Sequence, residues 1–178
     1  MAVMQKIKEF FIPAEFEEKP EIIIPAPPTI YSIHPLTKKN LREILLLNLR
    51  CFKRGEDYNK ATFTYLLTDS DTLGYQLITA SKQIVGFVFI VANNKKVGHI
   101  TTIGIAPEHR KRGLARKLLN HAENVLLQKG FDSVVLEVRV SNFAAQNLYS
   151  KYGYVIIQKL DKYYNNDEDA YLMSKFLK

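Results

Sequence analysis

Near residue 105 the hydrophobic period of this chain changes, and that change constrains the fold more than any other feature. Before it, Gln76 to Ala80, Ile84 to Ala92 and Gly98 to Ile105 read as three consecutive strands. The turns Ser81-Lys82-Gln83 and Asn93 to Lys96 separate them, as in an antiparallel meander. After it, Leu114, Leu118, Ala122, Val125 and Leu126 recur at helical spacing, and Gly130 ends the helix. Val134 to Val140 is then a continuous β-branched run, expected to be a strand buried on both faces. Phe143 to Tyr152 predicts a short helix closed by Gly153, and Tyr154 to Gln158 and Ala170 to Met173 predict the last strands.

Upstream, Tyr31 to His34 reads as a first strand and Thr37 as an N-cap. Leu41, Ile44, Leu45, Leu47 and Leu49 form a helix with a wide apolar face. Lys53 to Tyr58 is a polar loop with Gly55, and Ala61 to Leu67 a second helix. The order predicts one mixed α/β (α+β) domain over 31–178, with a mixed, mostly antiparallel central sheet flanked by helices. Residues 1–30 read as a Pro-rich extension outside the core, since Pro25-Ala26-Pro27-Pro28 favours polyproline II. Ile22-Ile23-Ile24 nevertheless calls for burial on the surface.

The 178 residues hold 25 Lys+Arg against 18 Asp+Glu, a formal charge of +7. Residues 1–35 carry three lysines and five glutamates, so the core alone is more basic than the whole chain. Such a balance suits an anionic partner: nucleic acid, a membrane surface or a phosphorylated small molecule. No apolar run approaches the roughly 20 residues of a membrane span. The N-terminus mixes Lys and Glu among apolar residues, unlike a secretory signal. Cys51 is the single cysteine, which points to a reducing cytoplasm.

The segment Ile103 to Ala115 joins the last meander strand to the long helix. A helix N-terminus offers four backbone N–H groups without intrahelical partners and about half a positive charge. Gly113 and Ala115 leave room for a ligand at the backbone. Arg110, Lys111 and Arg112 add cationic side chains that oppose the helix dipole unless an anion is present. A pyrophosphate site is the simplest reading, a solvated basic helix start the alternative. Neither the Walker spacing nor the G-x-G-x-x-G dinucleotide fingerprint is present.

Further on, a carboxylate interrupts an apolar strand. Glu137 needs water or a partner there; the plain reading pairs it with Arg139, two residues on and on the same face. His99 lies four residues before Ile103, an even offset expected to put both side chains on one face. Histidine titrates in the range useful for proton transfer.

These segments resemble a known family. Arg110-x-x-Gly113-x-Ala115 matches the acetyl-CoA motif Q/R-x-x-G-x-G/A of the GNAT N-acetyltransferases. Leu136-Glu137-Val138-Arg139-Val140-Ser141-Asn142, then Ala144-Ala145 and Leu148-Tyr149 through Gly153-Tyr154, resembles the L-x-V-x-x-x-N-x-x-A-x-x-L-Y-x-x-x-G-F pattern of that family. Tyr163-Tyr164 and Glu168 to Met173 narrow the resemblance to the RimI-like and archaeal protein N-terminal acetyltransferases. It covers about residues 31–178.

The resemblance implies a GNAT fold with acetyl-CoA as co-substrate and no metal. It implies that backbone groups of Ile103, Gly104 and Ile105 lie along the pantetheine arm on a strand splayed by a β-bulge, with the Ile105 N–H at the thioester carbonyl. Arg110, Lys111, Arg112, Gly113, Leu114 and Ala115 hold the pyrophosphate, and Asn142 the pantetheine. Tyr149 is the candidate general acid, and Glu137 or His99 the candidate base for an α-amine with pKa near 8. Tyr163 and Tyr164 are candidate walls for a peptide. Gly55-Glu56-Asp57-Tyr58 resembles the archaeal Pro-Glu-Asn-Tyr loop at Glu56 and Tyr58, which makes both substrate candidates.

The expected activity is transfer of acetyl from acetyl-CoA to the α-amine of a protein or peptide N-terminus, directly in a ternary complex. The alternatives are a lysine side chain, polyamine or other small amine as acceptor, or a basic nucleic-acid-binding module. The last lacks RNA-binding aromatic motifs and zinc spacing. A ribosomal protein or the ribosome is an expected partner, without membrane contact, for a monomer or weak homodimer in the cytoplasm.

Overall fold

The strand segments form one seven-stranded sheet in the order β1-β2-β3-β4-β5-β7-β6. The structure is a computed structural model that describes residues 22–52, 58–92 and 96–177. The strands are β1 (Tyr31–Pro35), β2 (Thr72–Thr79), β3 (Ile84–Ala92), β4 (Val97–Ile105), β5 (Ser133–Arg139), β6 (Val155–Leu160) and β7 (Ala170–Phe176). The α-helices among the described residues are α1 (Leu41–Cys51), α2 (Lys60–Thr68), α3 (Leu114–Gln128) and α4 (Phe143–Lys151). Every neighbouring strand pair is antiparallel except β4 with β5. That parallel pair needs a crossover, which α3 supplies.

The core sits on both faces of β3, where Val85, Phe87, Val88, Phe89 and Ile90 are fully buried. Phe63 of α2 meets Phe87 and Phe89 at ring distances of 6.0 and 5.6 Å. On the opposite face α3 lays down Leu114, Leu118, Leu119, Ala122 and Leu126, all buried. Truncating Leu118 or Leu126 to alanine would cost about 2–5 kcal/mol.

Several expectations change on contact with the tertiary structure. Thr37 caps a 3-10 turn, Lys38–Asn40, that leads into α1, through a capping box with Asn40. Leu49 is 57% exposed, so the apolar face of α1 is narrower than its leucines suggest. Strand β5 is not buried on both faces: Val134, Leu136 and Val138 are buried, while Val135 and Glu137 are half-buried on the other side. Ile22 and Ile24 are 89% and 78% exposed, so the isoleucine triplet does not find the burial its composition calls for.

The strand register shows where the sheet opens. Phe89 pairs with Thr102 and Ile90 with Ile100, so Thr101 is an extra residue, a β-bulge in β4. Pairing between β4 and β5 runs only from Val97–Ser133 to Ile100–Leu136. Beyond it β5 continues alongside β7 as far as Arg139. The two strands therefore diverge after Ile100, and a gap opens between residues 101–105 and 137–139.

The bulge also reverses the face parity expected for His99. A side chain at Gly98 would meet Leu126 of α3, so Gly98 faces α3 and His99 faces away. One placed at Gly86, the partner of Ile105, would meet Ile105 and Leu118 of α3. Ile105 and Ile103 thus face α3, and His99 lies on the opposite face from both.

Candidate active site

Two cavities meet in the gap. The larger, about 530 Å³, runs from the loop before α3 to the open edge of β4. Ile103, Gly104 and Ile105 line it from the strand, and Arg110, Lys111, Gly113, Leu114 and Ala115 from the loop and helix start. Asn142 and Tyr149 close it from α4. The smaller, about 190 Å³, is bounded by Tyr58, Glu137, Tyr164 and the bulge residue Thr101. Phe52, Ile103, Asn142, Ala145 and Tyr149 belong to both. Phe52 and Leu148 were not anticipated as lining residues, because nothing local marks a side chain that becomes a wall through tertiary packing.

Backbone alternation decides which groups of β4 face the gap. The Ala106 N–H donates to Val85 O at 2.8 Å, toward β3. The N–H and C=O groups of Ile105 and Ile103 therefore point the other way. The Ile105 carbonyl is already taken, accepting from Arg110 Nε at 3.1 Å. Its N–H is a donor at the groove.

The loop is built to present amides. Lys111 and Gly113 have φ of +59° and +73°; for glycine this costs little. Successive N–H groups in such turns form a concave anion site. The first bond into α3 runs from Lys117 N–H to Gly113 O, so the amides of Leu114 to Arg116 have no intrahelical acceptor.

Three expected cations do not all serve as expected. Arg110 turns its guanidinium to Cys51 O at 2.9 Å and to Ile105 O. Arg112 does not line the groove; its guanidinium donates to the carbonyls of Ala26 and Pro27 and to the Tyr31 hydroxyl. Lys111 and Arg116 also line the groove wall, with no such hydrogen-bonded anchor among the described residues; Arg116 rests 5.1 Å from the centre of the Tyr152 ring.

Asn142 caps α4 by accepting from Ala145 N–H at 3.1 Å. Its oxygen is thereby committed, and its side-chain NH₂ remains as the donor. Tyr149 is buried, and burial pushes its phenol up to about 12. Cys51 also lines the groove, where burial pushes the thiol up to about 11. It is a poor nucleophile at neutral pH.

Glu137 does not pair with Arg139. Its Oε2 is hydrogen-bonded to His99 Nε2 at 2.6 Å. Arg139 instead binds Glu168 at 2.7 Å and Asn166 at 2.9 Å, and stacks 3.7 Å from the centre of the Tyr164 ring. Tyr164 lines the acceptor cavity; Tyr163 stands edge-on to it at 5.2 Å and is 48% exposed. The Tyr58 hydroxyl donates to the Thr101 carbonyl at 3.0 Å. Burial raises the Tyr58 and Tyr163 phenols, and the Glu137 carboxylate raises both further. Glu56 lies outside the described residues.

A groove with an amide-lined anion site at one end and an unpaired strand edge along its length suits a phosphorylated thioester. Its apolar mid-section, Leu114, Ala115 and Ala145, suits an extended chain between the two ends. The site defines a class, acyl-CoA-dependent transferases. The comparisons agree: the Acetyltransferase (GNAT) family matches residues 40–154, and the chain belongs to it. A homolog of the N-terminal acetyltransferase complex ARD1 subunit from Dictyostelium discoideum is 34% identical over 83% of this chain and 73% of its own length. The N-terminal acetyltransferase A complex catalytic subunit NAA10 of Arabidopsis thaliana is 36% identical over 82% and 78%. The crystal structure of the ribosomal-protein-S18-alanine N-acetyltransferase from Escherichia coli superposes with a TM-score of 0.76, at 25% identity over 83% of this chain and 94% of that one. The chain is an acetyltransferase with acetyl-CoA as co-substrate, and the groove residues fit that molecule.

Proposed function

We propose that the chain transfers acetyl from acetyl-CoA to the α-amine of a protein or peptide N-terminus, by direct attack in a ternary complex. The observation that carries this reading is the meeting of a coenzyme groove and a small acceptor cavity at Tyr149, with Glu137 on the acceptor side. The names of the relatives at 34% and 36% identity support the choice of acceptor.

When bound, acetyl-CoA supplies an activated acyl thioester. The amides of the loop and the first turn of α3, with Lys111 and Arg116, hold its pyrophosphate. The Asn142 NH₂ and the Ile103 backbone hold the pantetheine arm. Glu137 and His99 together take the proton that the acceptor ammonium must lose before nitrogen can attack. The Ile105 N–H donates to the carbonyl oxygen as negative charge develops there. Tyr149, protonated at neutral pH, gives its proton to the departing thiolate. Cys51 takes no part. Tyr58 and Tyr164 wall the acceptor cavity, and Tyr163 supports Tyr164 from outside.

No described helix is long and apolar enough to cross a membrane. We place the reaction in the cytoplasm, on a ribosomal protein or a chain at the ribosome, by a monomer or weak homodimer; the lone Cys51 and the ribosomal acceptor named for the Escherichia coli relative support this setting. The test is an acetylation assay on peptides that contain an internal lysine, with the α-amine free or blocked. Acetyl is expected only on free-amine peptides. Undiminished activity on blocked peptides would sink the N-terminal reading.

A further inference from the structure

We propose that residues 26–31 are part of the coenzyme site, as a brace that holds the anion loop in its binding shape through Arg112 and Glu108. The inference rests on the acetyl-CoA reading of the groove.

Lys111, a residue with a Cβ, sits in the left-handed region beside Arg112, and Gly113 does so on the other side. Such backbone persists where its surroundings over-determine it. Here the surroundings grip from two directions. Arg110 ties the loop to the end of α1 and to β4. Arg112 ties it to the extended segment: Nη1 donates to Pro27 O at 3.1 Å and to the Tyr31 hydroxyl at 3.0 Å, and Nη2 donates to Ala26 O.

The grip is reciprocal. The Ala26 N–H donates to Glu108 O at 2.9 Å, at the start of the loop. Lys117, in the first turn of α3, donates to Tyr31 O at 2.6 Å. The Tyr31 hydroxyl also bonds Nδ1 of the buried His109 at 2.9 Å. One segment therefore stitches the beginning of the loop, its centre and the first turn of the helix. Pro25, Pro27 and Pro28 stiffen that segment, so little chain freedom is lost in holding the guanidinium. Arg112, which the sequence motif suggests as a phosphate ligand, is on this geometry a positioning residue.

The test uses the full chain and three variants. Ala26→Pro removes the N–H bonded to Glu108, Tyr31→Phe removes one acceptor of Arg112, and Arg112→Lys keeps the charge but loses the fork. Binding of CoA is measured by calorimetry, and KM for acetyl-CoA and for a peptide by steady-state kinetics. Each variant is expected to weaken CoA and raise the acetyl-CoA KM about three- to tenfold, the worth of one ordinary hydrogen bond. Peptide KM and kcat should stay within about twofold. Ala26→Pro combined with Arg112→Lys should be no worse than the more severe single change, because both release one loop. CoA affinity lost with Arg112→Lys but kept with Ala26→Pro and Tyr31→Phe would make Arg112 a direct phosphate ligand and overturn the brace. Equal changes in peptide KM or kcat would indicate general loosening and overturn it too. Wild-type binding with all variants unchanged overturns the brace alone; no CoA binding by the wild type overturns the coenzyme reading as well.

Discussion

Replacing Tyr149 by phenylalanine removes one oxygen from a side chain that is only 7% exposed. The ring remains, and with it the tilted contact to Tyr154 at 5.8 Å. The fold should lose no more than about 1.5 kcal/mol, the worth of one hydrogen-bonding group. Catalysis should lose more. Burial holds the phenol proton to about 12. An ordinary thiol near 8.5 is too weak a base to take that proton readily. The groove alters the comparison, because Cys51, a thiol on its wall, is pushed up to about 11 by the same burial. A coenzyme thiolate leaving into the same groove is desolvated and made more basic in the same direction, which narrows the gap between donor and acceptor. A matched general acid contributes about 10²–10⁴-fold, and one that is not downhill belongs near the lower end. Tyr149→Phe is therefore expected to lower kcat about 100-fold, or about 2.7 kcal/mol. CoA affinity measured by calorimetry should change far less. Because the proton stays on until about 12, the ratio of wild-type to variant kcat should be flat between about pH 6 and 9. Unchanged turnover would remove Tyr149 from the acid role. A matching loss of CoA affinity would make it a binding residue instead.

Three further outcomes follow from the same geometry. His99→Gln and Glu137→Gln, which each remove one basic group of the 2.6 Å pair, should each lower kcat, and the double variant should be little worse than either; multiplicative losses would mean the two act separately. Cys51→Ala should keep kcat within about threefold, with no acetylated enzyme in mass spectra, since a buried, protonated thiol is a poor nucleophile. Glu168 is held down to about 2, from an ordinary 4.5, first by Ser141 and then by Arg139. A depressed carboxyl contributes stability above its unfolded value and loses it as pH falls. Urea unfolding should therefore show Glu168→Gln less stable by about 1–2 kcal/mol near neutral pH, the side chain being partly solvated. The gap should close between about pH 4.5 and 2; a gap unchanged at low pH would refute the assignment.

The order of elements was legible because its signals are local. The stripe Leu114 to Leu126 is buried as written, and Gly130 and Gly153 end their helices with positive φ. Boundaries were less legible: β2 starts at Thr72, where polar neighbours disguise the strand that β3 completes. Asn142 and Tyr149 could be found because they lie seven positions apart, at the cap and within one short helix, and their spacing is a motif in itself. The destination of a long side chain cannot be read that way. Arg112 sits among cations but finds its partners 81 to 86 positions upstream. Arg139, two residues from Glu137, finds Glu168 29 positions downstream. In both cases the fold supplies partners other than the expected ones, because a guanidinium seeks several acceptors at once and only the folded chain gathers them.

The bulge at Thr101 carries the same lesson into the catalytic geometry. An unbroken β4 would put His99 on the face of Ile103 and Ile105, toward α3, with Glu137 on the far side of the sheet. The inserted residue reverses the parity, so His99 opposite Val135 shares a face with Glu137. The same residue ends the pairing with β5 after Ile100 and frees the strand edge on which the Ile105 N–H is exposed. Its released carbonyl is taken by the hydroxyl of Tyr58, at the rim of the acceptor cavity. The candidate base, the candidate oxyanion donor and one wall of the acceptor cavity thus depend on a single irregularity. The local sequence His99-Ile100-Thr101-Thr102-Ile103 has no glycine or proline to announce it.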